Sequence, residues 1–131
     1  MAGQIFEFAD FRPFLRHEIG EMSRIQEEQR KITIMFLQYH DSDRMLKALK
    51  DSLRTGDVIF RKNDAFFVIM PSTDKEGAMH VARVLEERFG HAIVDVNATW
   101  PEDGTTEGEL LGSLAQYISA KCDVDLMEII R

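Results

Sequence analysis

Cysteine is almost missing from this chain. Cys122 stands alone among 131 residues, which excludes an intrachain disulfide and fits a cytoplasmic setting; the residue reads as a bland, partly buried thiol. Positive charge is also short. Sixteen Lys and Arg against 23 Asp and Glu leave a formal charge of -7, so the cations with which proteins displace counterions from nucleic acid are scarce and non-specific nucleic-acid binding is excluded. A small anionic ligand is not, because a few local arginines can oppose the overall field. No apolar run reaches the length of a membrane span, and the opening MAGQIFEFADF has neither a basic leader nor a continuous apolar stretch. Histidines are few and scattered. His17, His80 and His91 lie far apart, His40 is isolated, and no Cys/His spacing resembles a zinc site. Ser42, Ser72 and Ser113 have no identifiable histidine–acid partners for nucleophilic catalysis.

What is present is patterned for one ordinary core of 44 % apolar residues. Residues 10–30 carry Phe14, Ile19, Met22 and Ile25 at helical intervals, with Pro13 suited to the first turn. Their charged end, QEEQRK, reads as a solvated face. KITIMFLQYH (31–40) is rich in β-branched and aromatic residues and predicts a central strand. A helix follows over 41–54, with Asp or Ser to cap it and a stripe of Met45, Leu46, Leu49 and Leu53. RTGD (54–57) is a turn. DVIFR and AFFVIMP predict two strands joined by RKND as a hairpin. STDKEGAMHVARVLEERFG (72–90) is the clearest helix, with Gly90 at its C-terminal stop. HAIVDVNATW (91–100) predicts a strand whose Trp100 packs at the end. PEDGTTEGE is a surface loop, 109–122 a final helix, and DVDLMEIIR either a last strand or a short helix.

Two β–α–β crossings separated by a hairpin predict an α/β fold of the α+β sandwich type. Its sheet is mixed, ferredoxin-like and covered by helices. The division expected is an N-terminal helical segment, 1–30, ahead of a domain spanning 31–131. That first helix packs on the domain, mediates a dimer or docks a partner.

The blocks LRTGDVIFRKNDAFFVIMP, AMHVARVLEERF, HAIVDVNATWPEDGTT and LLGSLAQYISAK together resemble the GGDEF domain, the family of bacterial diguanylate cyclases and their inactive relatives, over roughly 31–122. The resemblance implies the nucleotide-cyclase type of sheet. Its signature turn falls on Asn63, Asp64, Ala65, Phe66 and Phe67. Ala65 and Phe66 then take the positions of carboxylates that hold divalent metal against phosphate in active members, and neither side chain can do so. FLQYH (36–40) offers Gln38 and Tyr39 where the family places another metal-binding aspartate, and the segment from His40 to Arg54 is too short for the family's guanine-recognising residues. The expectation is a degenerate, catalytically inactive GGDEF-like domain: not an enzyme, with no cofactor, no metal and no membrane or nucleic-acid partner. It would act as a regulatory or protein-interaction module in bacterial signalling, through a protein partner or as a homodimer.

The alternative is a cyclic di-GMP sensor. Arg54-Thr55-Gly56-Asp57 matches the family's R-x-x-D motif, which binds cyclic di-GMP away from the catalytic centre. Arg54 would fork onto phosphate or guanine, Asp57 would accept from guanine N–H groups, and Arg61 would add positive potential. The family's further arginine falls here on Glu86, with Arg83 and Arg88 nearby in sequence. RTGD also reads as a plain helix-to-strand turn, in which Asp57 bonds turn N–H groups.

Overall fold

The computed structural model describes residues 4–24 and 30–130. Ile25 and the whole QEEQ run, 26–29, expected to extend the first helix lie outside them. The described chain runs β1 (Gln4–Phe6), a short 3₁₀ turn (Phe8–Asp10), α1 (Phe11–Arg24), β2 (Ile32–Gln38), α2 (Ser42–Ser52), β3 (Val58–Lys62) and β4 (Ala65–Pro71). It continues through α3 (Lys75–Phe89), β5 (Asp95–Trp100), α4 (Glu107–Cys122) and α5 (Leu126–Ile129). The helices start where short polar side chains accept from the first free N–H groups: Asp41 from Arg44, Asp74 from Gly77, Thr106 from Glu109. Gly90 ends α3 at φ 78°, a backbone state that favours glycine. The C-terminal DVDLMEIIR resolves into the short helix α5.

One sheet has the order β1-β3-β4-β2-β5. β2 pairs antiparallel with both β4 and β5, and β3 antiparallel with β4. These four strands form the two interleaved β–α–β crossings predicted from the sequence. β1 was not predicted. It adds a parallel edge to β3, with Ile5 opposite Ile59, and makes the sheet mixed. Three exposed residues are too few to show a strand's alternation of two.

The pleat divides the core. Ile32, Ile34 and Phe36 of β2, with Phe60 and Phe67, face α1, α4 and α5, while Met35 and Leu37, with Phe66 and Val68, face α2 and α3. Phe11, Leu15, Ile19 and Met22 of α1 are buried in the first of these layers. Arg12 and Arg16 tie the same helix to Glu107 at the start of α4.

The edge at β5 is closed by side chains. Asp103 accepts from the Thr99 N–H at 2.7 Å and from the Tyr117 hydroxyl at 2.8 Å, pairs with Lys75 at 3.2 Å, and its own N–H donates to the Thr99 carbonyl. Lys121 Nζ donates to the Asp95 carbonyl. The outward-facing backbone groups of Thr99 and the Asp95 carbonyl, which would otherwise template another chain, are thereby occupied. Burial alone would raise the Asp103 pKa, but the bonds from Thr99, Tyr117 and Lys75 outweigh it and hold the carboxyl below its ordinary value. A lowered folded-state pKa contributes stability above the unfolded value of about 3.9 and loses it as pH falls through the folded one. Asp103→Ala is therefore expected to cost about 2–3 kcal/mol at pH 7. The difference from wild type should shrink towards pH 2 in urea titrations.

Candidate functional site

The RTGD turn sits where α2 hands over to β3. Gly56 has φ 100°, which a side chain would strain. Asp57 is 3 % exposed. Its Oδ2 accepts from the Arg54 N–H at 2.9 Å, and its own N–H donates back to the Arg54 carbonyl at 3.1 Å. Burial raises the Asp57 pKa, opposed by the Arg54 N–H and the Arg54 charge. Its carbonyl also accepts from Gln4 N–H at 3.2 Å, so the turn anchors β1 as well. Asp57 thus clamps the loop and sets the direction of Arg54, instead of reaching out to accept from a ligand.

The Arg54 guanidinium crosses to the other side of the corner, where Nη2 donates to the Thr73 hydroxyl. Thr73 lies just before α3, and Gly77 in that helix's first turn lets the two approach: a Cβ on Gly77 would stand 2.7 Å from Thr73 Cγ2. Between turn and helix opens a cavity of about 520 Å³ whose walls include Lys31, Arg54, Asp57, Thr73, Gly77 and His80. That volume is within the range of about 300–1,000 Å³ usual for small-molecule sites. Lys31, entering from the start of β2, is held at 2.6 Å by Glu102. Arg54 and Lys31 bring two cations to a corner whose walls also carry Asp57, Asp74 and His80.

The structure brings Arg54 and Asp57 together and leaves Arg61 out. Arg61 lies towards the far end of β3, pairs with Asp43 at 3.3 Å and lines a different cavity beside Ile5 and Phe6. It adds nothing at the RTGD corner, because four residues of extended strand carry it about 13 Å away. Arg83 and Arg88 do not line the corner either, and Arg88 pairs with Asp51 at 3.0 Å. Glu86 is occupied in accepting from the Ile93 N–H at 3.0 Å. Sequence reasoning missed Lys31, Thr73 and His80 as neighbours of Arg54. In sequence Lys31 stands at the end of a charged run, Thr73 at the start of the 72–90 segment and His80 as a scattered histidine; only strand pairing and the seating of α3 bring them to one corner.

At the β3–β4 hairpin, Asn63 adopts φ 58° and the chain reverses. Ala65 is 2 % exposed, and Phe66 is wholly buried against α2 and α3. Gln38 reaches Asp64 at 3.3 Å. Among the described residues no three of His, Cys, Asp or Glu converge to hold a metal ion. These side chains do not fit a hard divalent cation at the hairpin, which wants several carboxylate or carbonyl oxygens. Trp100, following the packing expectation, is buried with its indole N–H donating to the Thr105 carbonyl. Among the described residues no helix is long and apolar enough to cross a membrane.

The fold is that of the GGDEF, or nucleotide-cyclase, type: a five-stranded mixed sheet sandwiched by helices. No family model and no curated protein matches the chain; solved structures do. A DGC protein from Thermotoga maritima is 18 % identical, with a TM-score of 0.67 over 87 % of this chain and 95 % of that one. The GGDEF domain of YfiN (TpbB) from Pseudomonas aeruginosa is 15 % identical, with a TM-score of 0.72 over 89 % and 84 %. A sensory box/GGDEF family protein from Caulobacter crescentus is 14 % identical, with a TM-score of 0.65 over 90 % and 93 %. These neighbours overturn the expectation that the chain is not an enzyme. The fold it shares is that of GGDEF diguanylate cyclase domains, an enzyme class, and nothing in the fold marks this chain as an inactive branch.

Proposed function

We propose that this chain is a GGDEF-type regulatory domain of bacterial cyclic di-GMP signalling, and that it binds cyclic di-GMP at the RTGD corner. The observation that carries this reading is Arg54, set by Asp57 into a cavity of about 520 Å³ with Lys31 and His80 on its walls. Arginine presents a planar fork of donors that suits phosphate or a guanine edge, and a lysine nearby adds a point charge for the second phosphate. In this reading the bound nucleotide alters what the domain contacts, either a protein partner or a second copy of the chain.

Calorimetric titration with cyclic di-GMP tests it. Wild type should bind saturably, and Arg54→Ala should weaken binding by about 100-fold, in keeping with the loss of a charge-assisted, forked contact. Asp57→Asn keeps an oxygen to accept from the Arg54 N–H and should retain most of the affinity. Absence of saturable heat with wild type, or equal binding by Arg54→Ala, would leave RTGD as a turn alone.

A further inference from the structure

The charged walls of the RTGD corner are already engaged within the protein. Arg54 donates to the Thr73 hydroxyl, and Asp57 accepts from the Arg54 N–H. Asp74 accepts from the Gly77 N–H at 2.9 Å, and Lys31 is held by Glu102. His80 differs. It stands on α3 one turn beyond Gly77, is exposed, and lines the same cavity. Among the described residues its ring has no hydrogen-bond or ion-pair partner.

The charges around it nearly cancel. Lys31 and Arg54 are matched on the walls by Asp57 and Asp74, and Glu102 holds Lys31 from outside. Along α3, Glu76 and Arg83 flank His80 one turn to either side with opposite signs. Lys75 is taken by Asp103 at 3.2 Å. From α2 the wall receives the uncharged Ser52, while Asp51 is paired with Arg88, eight residues and about 12 Å further along α3. With a neutral imidazole the corner therefore has no net positive charge for a ligand that carries two phosphodiester anions. Imidazole is the side chain whose ordinary titration falls between pH 5 and 8. An imidazolium offers two N–H donors and tips the balance of the walls to positive.

We propose that His80 is a third ligand-contacting residue of the corner, donating to a phosphodiester as the imidazolium, so that nucleotide binding takes up a proton. This rests on the reading of the corner as a cyclic di-GMP site and adds to it a dependence on pH. The sign follows from linkage. An anion bound beside the ring favours its charged form, so affinity rises as pH falls. The ligand's phosphodiesters and guanines keep one ionisation state from pH 5.5 to 8, so the change belongs to the protein.

Calorimetric titration with cyclic di-GMP at pH 5.5, 7 and 8, at constant ionic strength, tests it. Wild type should bind about tenfold more tightly at pH 5.5 than at pH 8, the effect of one charge-assisted contact. Near pH 7, titrations in two buffers of unlike ionisation heat should show uptake of about half a proton, as a tenfold linkage requires. His80→Gln should bind at every pH as weakly as wild type does at pH 8, with no proton uptake. His80→Lys, which fixes the charge, should bind tightly and alike from pH 5.5 to 8. Both changes fall on an exposed helical position, where substitutions cost little stability. Saturable binding by wild type with no pH dependence, or the same dependence in His80→Gln, would overturn the role of His80 and leave the corner a nucleotide site. No binding at any pH would overturn both.

Discussion

Phe67→Ala is expected to destabilise the protein by about 3–5 kcal/mol, the range for emptying a buried aromatic site. Phe67 is fully buried at the centre of β4. Its ring centre lies 5.0 Å from that of Phe11, 5.2 Å from Phe36 and 5.6 Å from Phe8. Those partners come from α1, β2 and the 3₁₀ turn, so one side chain joins three parts of the chain. Alanine would leave a void that flanking rings cannot fill, because each is fixed by further contacts, such as Phe11 on Phe60 at 5.3 Å. Urea denaturation should show the midpoint falling with little change in slope. A loss below about 1 kcal/mol would mean that the aromatic layer is not packed as described.

Removal of residues 1–30 is expected to have a larger effect still. Phe11, Leu15, Ile19 and Met22 are all nearly inaccessible, and each contributes about 1.5–3 kcal/mol by leaving water. Four such side chains rival the whole net stability of a small domain, about 5–15 kcal/mol. Their loss would also bare Phe60 and Phe67. The shortened chain should lack a cooperative thermal transition and should bind a hydrophobic dye. A sharp transition within a few degrees of the full chain's would show instead that 31–131 stands alone as a domain.

Most of the fold could be read from the chain because local chemistry and periodicity agree. The run ITIMFLQ reads as a strand buried on both faces, and the helix read over 72–90 with Gly90 at its stop forms as Lys75–Phe89. β1 was illegible because three exposed residues carry no period, and its pairing depends on the Gln4 N–H finding the Asp57 carbonyl. Asp103 read as a surface-loop acid, although the folded loop turns it into the clamp on the open edge of β5.

For the site the division is sharper. By itself the sequence determined that Arg54 and Asp57 share a tight turn, since glycine between them permits the reversal, and that Ala65 and Phe66 hold no charge at the hairpin. Only the tertiary structure decided what those residues face. Strand order set Lys31 beside the turn, the seating of α3 brought Thr73 and His80 to Arg54, and the length of β3 carried Arg61 away to Asp43. The physical reason is range. Caps, turns and apolar periods act over about four residues, whereas this corner is assembled from Lys31, Arg54 and Thr73, 19 or more residues apart in sequence, which meet only when the sheet closes its core.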